Sequence, residues 1–203
     1  MDVELHSILN MIPEIQLLEA EYRKRRNQAR KALDKVKNAK SKYKFLERIV
    51  QPRFETDNKE DDIQLENAIL DLFKSIGFKV EKPNDEADVD VKVRFKNFYF
   101  GIEVKNGNLV GENDTFQPLK HKILHDESFH PIVIFNNTKN MDNWGVERIK
   151  IANGGGFGLL LTTELQKGYI KLKKQKITFE QFLKSLQNTG EIKFSNKALE
   201  RIL

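Results

Sequence analysis

The sequence predicts an α/β fold: a mixed β-sheet flanked by helices and preceded by a long basic N-terminal helix of coiled-coil character. Three observations carry this reading. Apolar residues recur every seven positions through the first fifty residues. An alternating stretch across residues 87–105 has the period of paired β-strands. Beyond it, short apolar runs alternate with amphipathic segments, the order expected of a sheet covered by helices. A chain of 203 residues buries a core without covalent staples. Cysteine is absent, which excludes a disulfide scaffold, a thiol nucleophile and thiolate metal sites. No apolar run approaches the roughly 20 residues needed to cross a bilayer, and Met1-Asp2-Val3-Glu4 lacks the basic and apolar regions of a signal peptide. The expectation is a soluble, cytoplasmic protein with no membrane partner.

The net charge of +5 conceals a strong asymmetry. Residues 22–48 contain twelve Lys and Arg against only Asp34 and Glu47, a net of +10, so the rest of the chain carries −5. Within that basic segment Arg23, Lys24, Arg25, Arg26, Arg30 and Lys31 are the expected contacts to nucleic-acid phosphates. The same segment is helical by period. Ile8, Ile15, Tyr22, Ala29, Val36, Tyr43 and Val50 fill one heptad position; Met11, Leu18, Arg25, Ala32, Ala39 and Leu46 fill the other. Pro13 suits a first helical turn. No glycine or proline follows until Pro52, which predicts one helix from Glu14 to Gln51, about 57 Å long. Sustained heptads point to a homodimer through this helix or to packing along the chain's own body, although the basic flanks would repel a parallel copy. The predicted organisation is a helical arm at 1–51, an acidic linker at 52–62 and an α/β domain at 63–203.

Ile63 to Ile76 has helical spacing, with Gly77 at the position of a C-terminal cap. Phe78 to Val80 reads as a short strand. From 87 to 95, Val89, Val91, Val93 and Phe95 alternate with Asp88, Asp90, Lys92 and Arg94. Lys96-Asn97 is a turn, and Phe98 to Lys105 returns as the second strand of an antiparallel hairpin. A loop at 107–115 and a helix at 116–125 lead to a buried strand at Pro131–Phe135. Val146–Ala152 is expected to be helical, Gly158–Leu161 a buried strand, and Thr163 the cap of a brief helix. Tyr169–Leu172 is read as a last strand. Thr178 and Gln181 spell a capping box for a helix ending at Leu186, and Ser195 caps a helix at 195–203.

Asp90 sits on the polar face of the first hairpin strand. Glu103 and Lys105, two apart on the second, share one face, while Ile102 and Val104 take the other. The hairpin brings Asp90 beside Glu103. Glu66 lies on the preceding helix among apolar neighbours. Two adjacent carboxylates are costly unless a cation offsets them. Mg²⁺ binds one or two carboxylates together with waters and phosphate oxygens, lowers the pKa of a bound water and polarises a phosphoryl group. A nearby lysine orients that water or stabilises the charge that develops. With no cysteine available, metal binding here would have to use oxygen ligands, which suits Mg²⁺.

Asp90, twelve residues, then Glu103-Val104-Lys105 resembles the PD-(D/E)xK motif of the restriction-endonuclease-like nuclease superfamily. The stretch Leu65-Glu66-Asn67, Gly77-Phe78-Lys79-Val80, Asp90 and Gly101-Ile102-Glu103-Val104-Lys105 covers about 40 residues in the matching order. The resemblance implies a restriction-endonuclease-like fold and Mg²⁺-dependent phosphodiester hydrolysis on DNA, with Mn²⁺ as a substitute. It implies Asp90 and Glu103 as metal ligands, Glu66 as a further ligand and Lys105 as the catalytic lysine. Gln117 is similar to a glutamine that some RecB-like members place near the site, among the DNA contacts. Val89 stands where the motif has proline, and Asp88, on the same face, is the alternative ligand to Asp90, which the spacing favours. Within the class, a restriction or defence endonuclease is expected first and a Holliday-junction-resolvase-like nuclease second. The reading from another class is a non-catalytic DNA-binding or assembly subunit on a degenerate nuclease fold.

Other signals carry less. Asp85-Glu86-Ala87-Asp88 spells a helicase box, but no phosphate-binding loop accompanies it. Residues 153–158 are glycine-rich but precede a strand, the reverse of a dinucleotide fingerprint, and read as a flexible connection. His121 and His125 are four apart without the glutamate of a zinc protease helix, so phosphate contact or an ordinary surface is expected. Lys171, Lys173, Lys174 and Lys176 read as a basic cluster on or beside a strand.

Overall fold

The computed structural model describes residues 13–51, 59–83, 89–107, 117–122, 129–137 and 144–194. The expected helix at 195–203, the alternative ligand Asp88, His125 and most of the predicted linker lie outside the described residues. The chain forms two compact units, Met1–Lys44 and Phe45–Leu203.

The first unit contains α1 (Pro13–Lys42), with Pro13 in its opening turn and Lys40 and Lys42 in its last, where cations meet the helix's negative end. It buries none of its side chains. The predicted continuation to Gln51 does not occur. Tyr43 and Lys44 donate to the carbonyls of Lys40 and Ser41 and close a turn. A separate short helix, α2 (Phe45–Val50), follows. Phe45, Leu46, Ile49 and Val50 all pack into the core of the second unit. That burial outweighs the local preference for one unbroken helix. Arg48, counted with the basic arm, therefore belongs to the body.

The second unit is built on one six-stranded sheet in which spatial order follows chain order. Its strands are β1 (Lys79–Glu81), β2 (Val91–Phe95), β3 (Phe98–Gly107), β4 (Phe129–Asn137), β5 (Gly158–Leu161) and β6 (Gly190–Glu191). β1, β2 and β3 are antiparallel; β3 through β6 are parallel. The helices are α3 (Lys59–Ser75), α4 (Val146–Gly155), α5 (Thr162–Lys173) and α6 (Phe179–Leu186), with a further helical stretch at 117–122.

The predicted hairpin is present, turning at Lys96 and Asn97 with Lys96 at φ +50°. Period-two alternation in the central strands divides the core. Val91, Val93, Phe100, Ile102, Ile132, Ile134 and Leu160 pack beneath α3, α5 and α6. On the opposite face Val133, Phe135, Leu159 and Leu161 pack with Trp144, Ala152 and Phe157, and Leu119 lies against this second cluster. Leu65, Ala68, Ile69, Leu72 and Phe73 provide the buried stripe of α3, each large side chain adding about 1.5–3 kcal/mol. Gly77 ends that helix at φ +96°, a conformation that side chains rarely adopt.

Several boundaries differ from expectation. α3 starts at Lys59 rather than Ile63, because Glu60, Asp61 and Asp62 suit the positive end of a helix. Tyr169–Leu172 is helical within α5, since Leu165, Tyr169 and Leu172 pack at helical spacing on the first core. The lysine cluster there lies on and just beyond a helix, not on a strand. The glycine-rich segment closes α4, with Gly156 capping it at φ +70°, so it is a helix terminus rather than a flexible connection. The Thr178–Gln181 capping box is present as expected.

A largely buried polar chain joins these elements. Arg48 donates to the carboxylate of Asp61 at 2.6 Å, with the two side chains only 12% and 7% exposed. Asn106 donates to Asp61 and Asp62, each at 3.0 Å. Asn136 donates to Asn106 and to the carbonyl of Gln51, and Thr162 donates to Asn136 at 3.1 Å. Removing one partner of a buried ion pair leaves an uncompensated charge. Arg48→Met is expected to cost about 3–5 kcal/mol in urea denaturation; a loss below about 1 kcal/mol would show that the pair does not anchor α2.

Candidate active site

The site forms where β2 enters the sheet. Val91 pairs with Ile102, so Asp90, one residue earlier, falls opposite Glu103. The Val104 N–H donates to Asp90 Oδ2 at 2.7 Å, which fixes the carboxylate across the ladder. Because Ile102 faces the first core, Glu103 and Lys105 face the other side. Val104 lies at the margin of the first core, as alternation requires. Gly101 is needed beneath this cluster: a Cβ there would lie 2.0 Å from the Phe129 ring.

Glu103 is 2% exposed, with a side-chain nitrogen near each of its oxygens. His121 Nε2 lies 2.8 Å from Oε1, and Lys105 Nζ lies 3.6 Å from Oε2. His121 is equally buried. It is therefore not a surface group but a close neighbour of the buried glutamate. Lys105 Nζ also donates to Gln117 Oε1 at 2.7 Å. His121 and Gln117, four apart on the 117–122 helix, thus reach Glu103 and Lys105 from one face. Glu66 on α3 pairs with Lys82 at 2.5 Å.

Burial pushes the Asp90 carboxyl above its ordinary value, the Val104 N–H opposes this, and the charge of Glu66 adds to the rise. Lys105 and Lys82 act on it in the opposite direction. Asp90, Glu66, Lys105 and Lys82 therefore share one electrostatic neighbourhood. Among the described residues, no three His, Asp or Glu side chains are gathered as a ready-made ion site. The expected phosphate contacts lie on α1; Arg23 and Arg25 are 77% exposed and pair with Glu19 and Glu21 one turn back.

The sequence signals for Asp90, Glu103, Lys105, Glu66 and Gln117 thus lead to neighbouring groups. Nothing in the sequence points to the roles of His121, Lys82 or the Arg48–Asp61 pair. The place of His121 follows from how the 117–122 helix meets β3, which no local pattern encodes. The burial of Asp61 depends on where α2 docks.

No family model matches the sequence, and no curated protein matches it. Among solved structures, restriction endonuclease FokI aligns with a TM-score of 0.54 at 13% identity, over 74% of this chain and 30% of that one. FokI bound to DNA aligns with a TM-score of 0.52 at 13% identity, over 75% and 30%. The chain has a restriction-endonuclease-like fold. It corresponds to less than a third of the FokI chain, and among its described residues no helix is long and apolar enough to cross a membrane.

The raised Asp90 pKa makes a test of the site's electrostatics. A carboxyl raised by folding is held at a cost whenever it is ionised. Its favourable contribution is complete below the unfolded value and is lost as pH rises through the folded one. Asp90→Asn is therefore expected to raise the melting temperature of the body at pH 8 by about 2–4 °C, with the gain shrinking toward pH 4. An equal gain at both pH values would remove the electrostatic explanation.

Proposed function

We propose that the chain is a Mg²⁺-dependent DNA endonuclease, with Mn²⁺ able to replace Mg²⁺, whose centre is Asp90, Glu103 and Lys105 with Glu66 in support. The observation that carries this reading is the pairing of β2 with β3, which sets Asp90 opposite Glu103 and Lys105 two residues further on the same face. The donor set suits the ion. It is made of oxygens, Mg²⁺ needs only one or two carboxylates, and Asp90 is a half-buried carboxyl whose burial disfavours the bare anion, a cost that a bound cation offsets. Asp90 and Glu103 would hold the ion, with Glu66 as a further ligand directly or through water. When bound, it supplies charge neutralisation at the phosphate and a more acidic water.

The chain's own groups have separate tasks. Lys105, held at Gln117, presents an ammonium beside the carboxylates, where it orients the attacking water or offsets charge on the phosphate. His121 Nε2 and Lys105 Nζ flank the Glu103 carboxylate at a position closed to solvent. Arg23, Lys24, Arg25, Arg26, Arg30 and Lys31 on α1 give sequence-independent affinity for the backbone, and α1 also pairs two copies of the chain. A restriction or defence role fits a cutting domain carried by a DNA-holding arm; a junction-resolving nuclease is the alternative within the class.

A second reading, a DNA-binding subunit without catalysis, draws on the engagement of Glu103 by His121. Cleavage assays separate the two. Plasmid, branched and single-stranded DNA are expected to be cut with Mg²⁺ or Mn²⁺ and left intact with EDTA. Lys105→Ala and Glu103→Ala should each lower the rate by about a hundredfold or more. Wild-type inertness with both metals would favour the binding subunit, and full activity of either variant would overturn the site. Replacing Arg23, Lys24, Arg30 and Lys31 by Gln should reduce the slope of log affinity against log salt by about 0.9 for each phosphate that is no longer neutralised; an unchanged slope would remove the arm from DNA binding.

A further inference from the structure

α1 exposes a heptad seam that no other described residue of its own unit covers. Leu18 is 59% exposed, Tyr22 65% and Val36 51%. We infer that the occupant of this seam is α1 of a second copy of the chain, running antiparallel, with Leu18 of one copy against Val36 of the other. The inference rests on the proposed pairing of copies through α1 and specifies its direction and register.

Residue size argues for the direction. In this register the seam pairs Ile15 with Ala39, Leu18 with Val36, Tyr22 with Ala32 and Arg25 with Ala29. Every layer sets a larger side chain against a smaller one, so two straight helices meet at even spacing. A parallel dimer would set each residue against itself. Tyr22 would meet Tyr22, Ala29 and Ala32 would leave gaps, and Arg25 would meet Arg25 in the seam. Opposite Ala29, the aliphatic stem of Arg25 lies along the partner while its guanidinium reaches water.

Charge gives the same answer independently. Glu14, Glu21, Gln28, Lys35 and Lys42 occupy one flank of the seam at seven-residue intervals. Antiparallel pairing brings Glu14 to Lys42 and Glu21 to Lys35 of the other copy, and Gln28 to its own symmetry mate. Glu21 also lies 3.7 Å from Arg25 in its own helix, which holds it at the seam's edge. In the parallel arrangement this flank meets the other, so that Glu14 opposes Glu19 and Lys35 opposes Lys40. On the far flank Arg26 meets its symmetry mate at the midpoint of the rod. There the basic residues 23–31 of both copies coincide, a concentration of cations that a bound phosphate backbone offsets.

The absence of cysteine makes the test direct. Leu18→Cys and Val36→Cys are made separately in the full chain, with circular dichroism to confirm the fold. Each is oxidised alone and after mixing with the other. Covalent dimer is expected only in the mixture. Self-linked dimer from each variant alone would overturn the antiparallel register while leaving pairing through α1 intact. No linkage in any sample, with a monomer in sedimentation, would overturn both. Glu14→Lys with Glu21→Lys is expected to weaken dimerisation about tenfold or more, and adding Lys35→Glu with Lys42→Glu should restore it. Failure of that restoration would remove the charge pairing from the interface.

Discussion

The body depends on the pairing of β2 with β3 in a single register. Val91 against Ile102 buries one row of side chains in the first core and sends the alternate row to the opposite face. A slip of one residue would expose Val91 and Val93 and bury Lys92, so the hydrophobic effect enforces the register strongly. The carboxylates inherit that enforcement. Asp90 stays opposite Glu103 because the apolar rows fix the register of the two strands.

β3 also divides its labour along its length. Gly101 makes room for the Phe129 ring. Glu103 and Lys105 face Gln117 and His121, and Asn106, facing the other way, joins the Arg48–Asp61 chain. The C-terminal end of the strand is therefore tied on both faces: through Lys105 to Gln117, and through Asn106 to α3. Such double anchoring limits the positions available to Lys105.

Much of this was legible from residue order. The hairpin, the carboxylate pair, the lysine and the capping box at Thr178 are local patterns, with periods of two or three to four residues, and local physics determines them. What was illegible was non-local. The break after Lys42 is decided by Phe45, Leu46, Ile49 and Val50 finding a core far along the chain. The helical state of Tyr169 is decided by packing of Leu165 and Leu172, against the strand preference of its neighbours. His121 reads as a surface group because nothing adjacent announces a buried glutamate from another element.

That α1 buries no side chain has a consequence for melting behaviour. The helicity of a 30-residue helix that buries no side chain depends on temperature and on any partner it finds. The body has its own core, the condition for melting as a cooperative unit. Unfolding of the whole chain is then not a single two-state event, and one transition temperature does not describe it. The signals separate cleanly: far-ultraviolet dichroism sums both units, whereas the single tryptophan, Trp144, is buried in the second core beside Phe135 and its fluorescence follows the body alone.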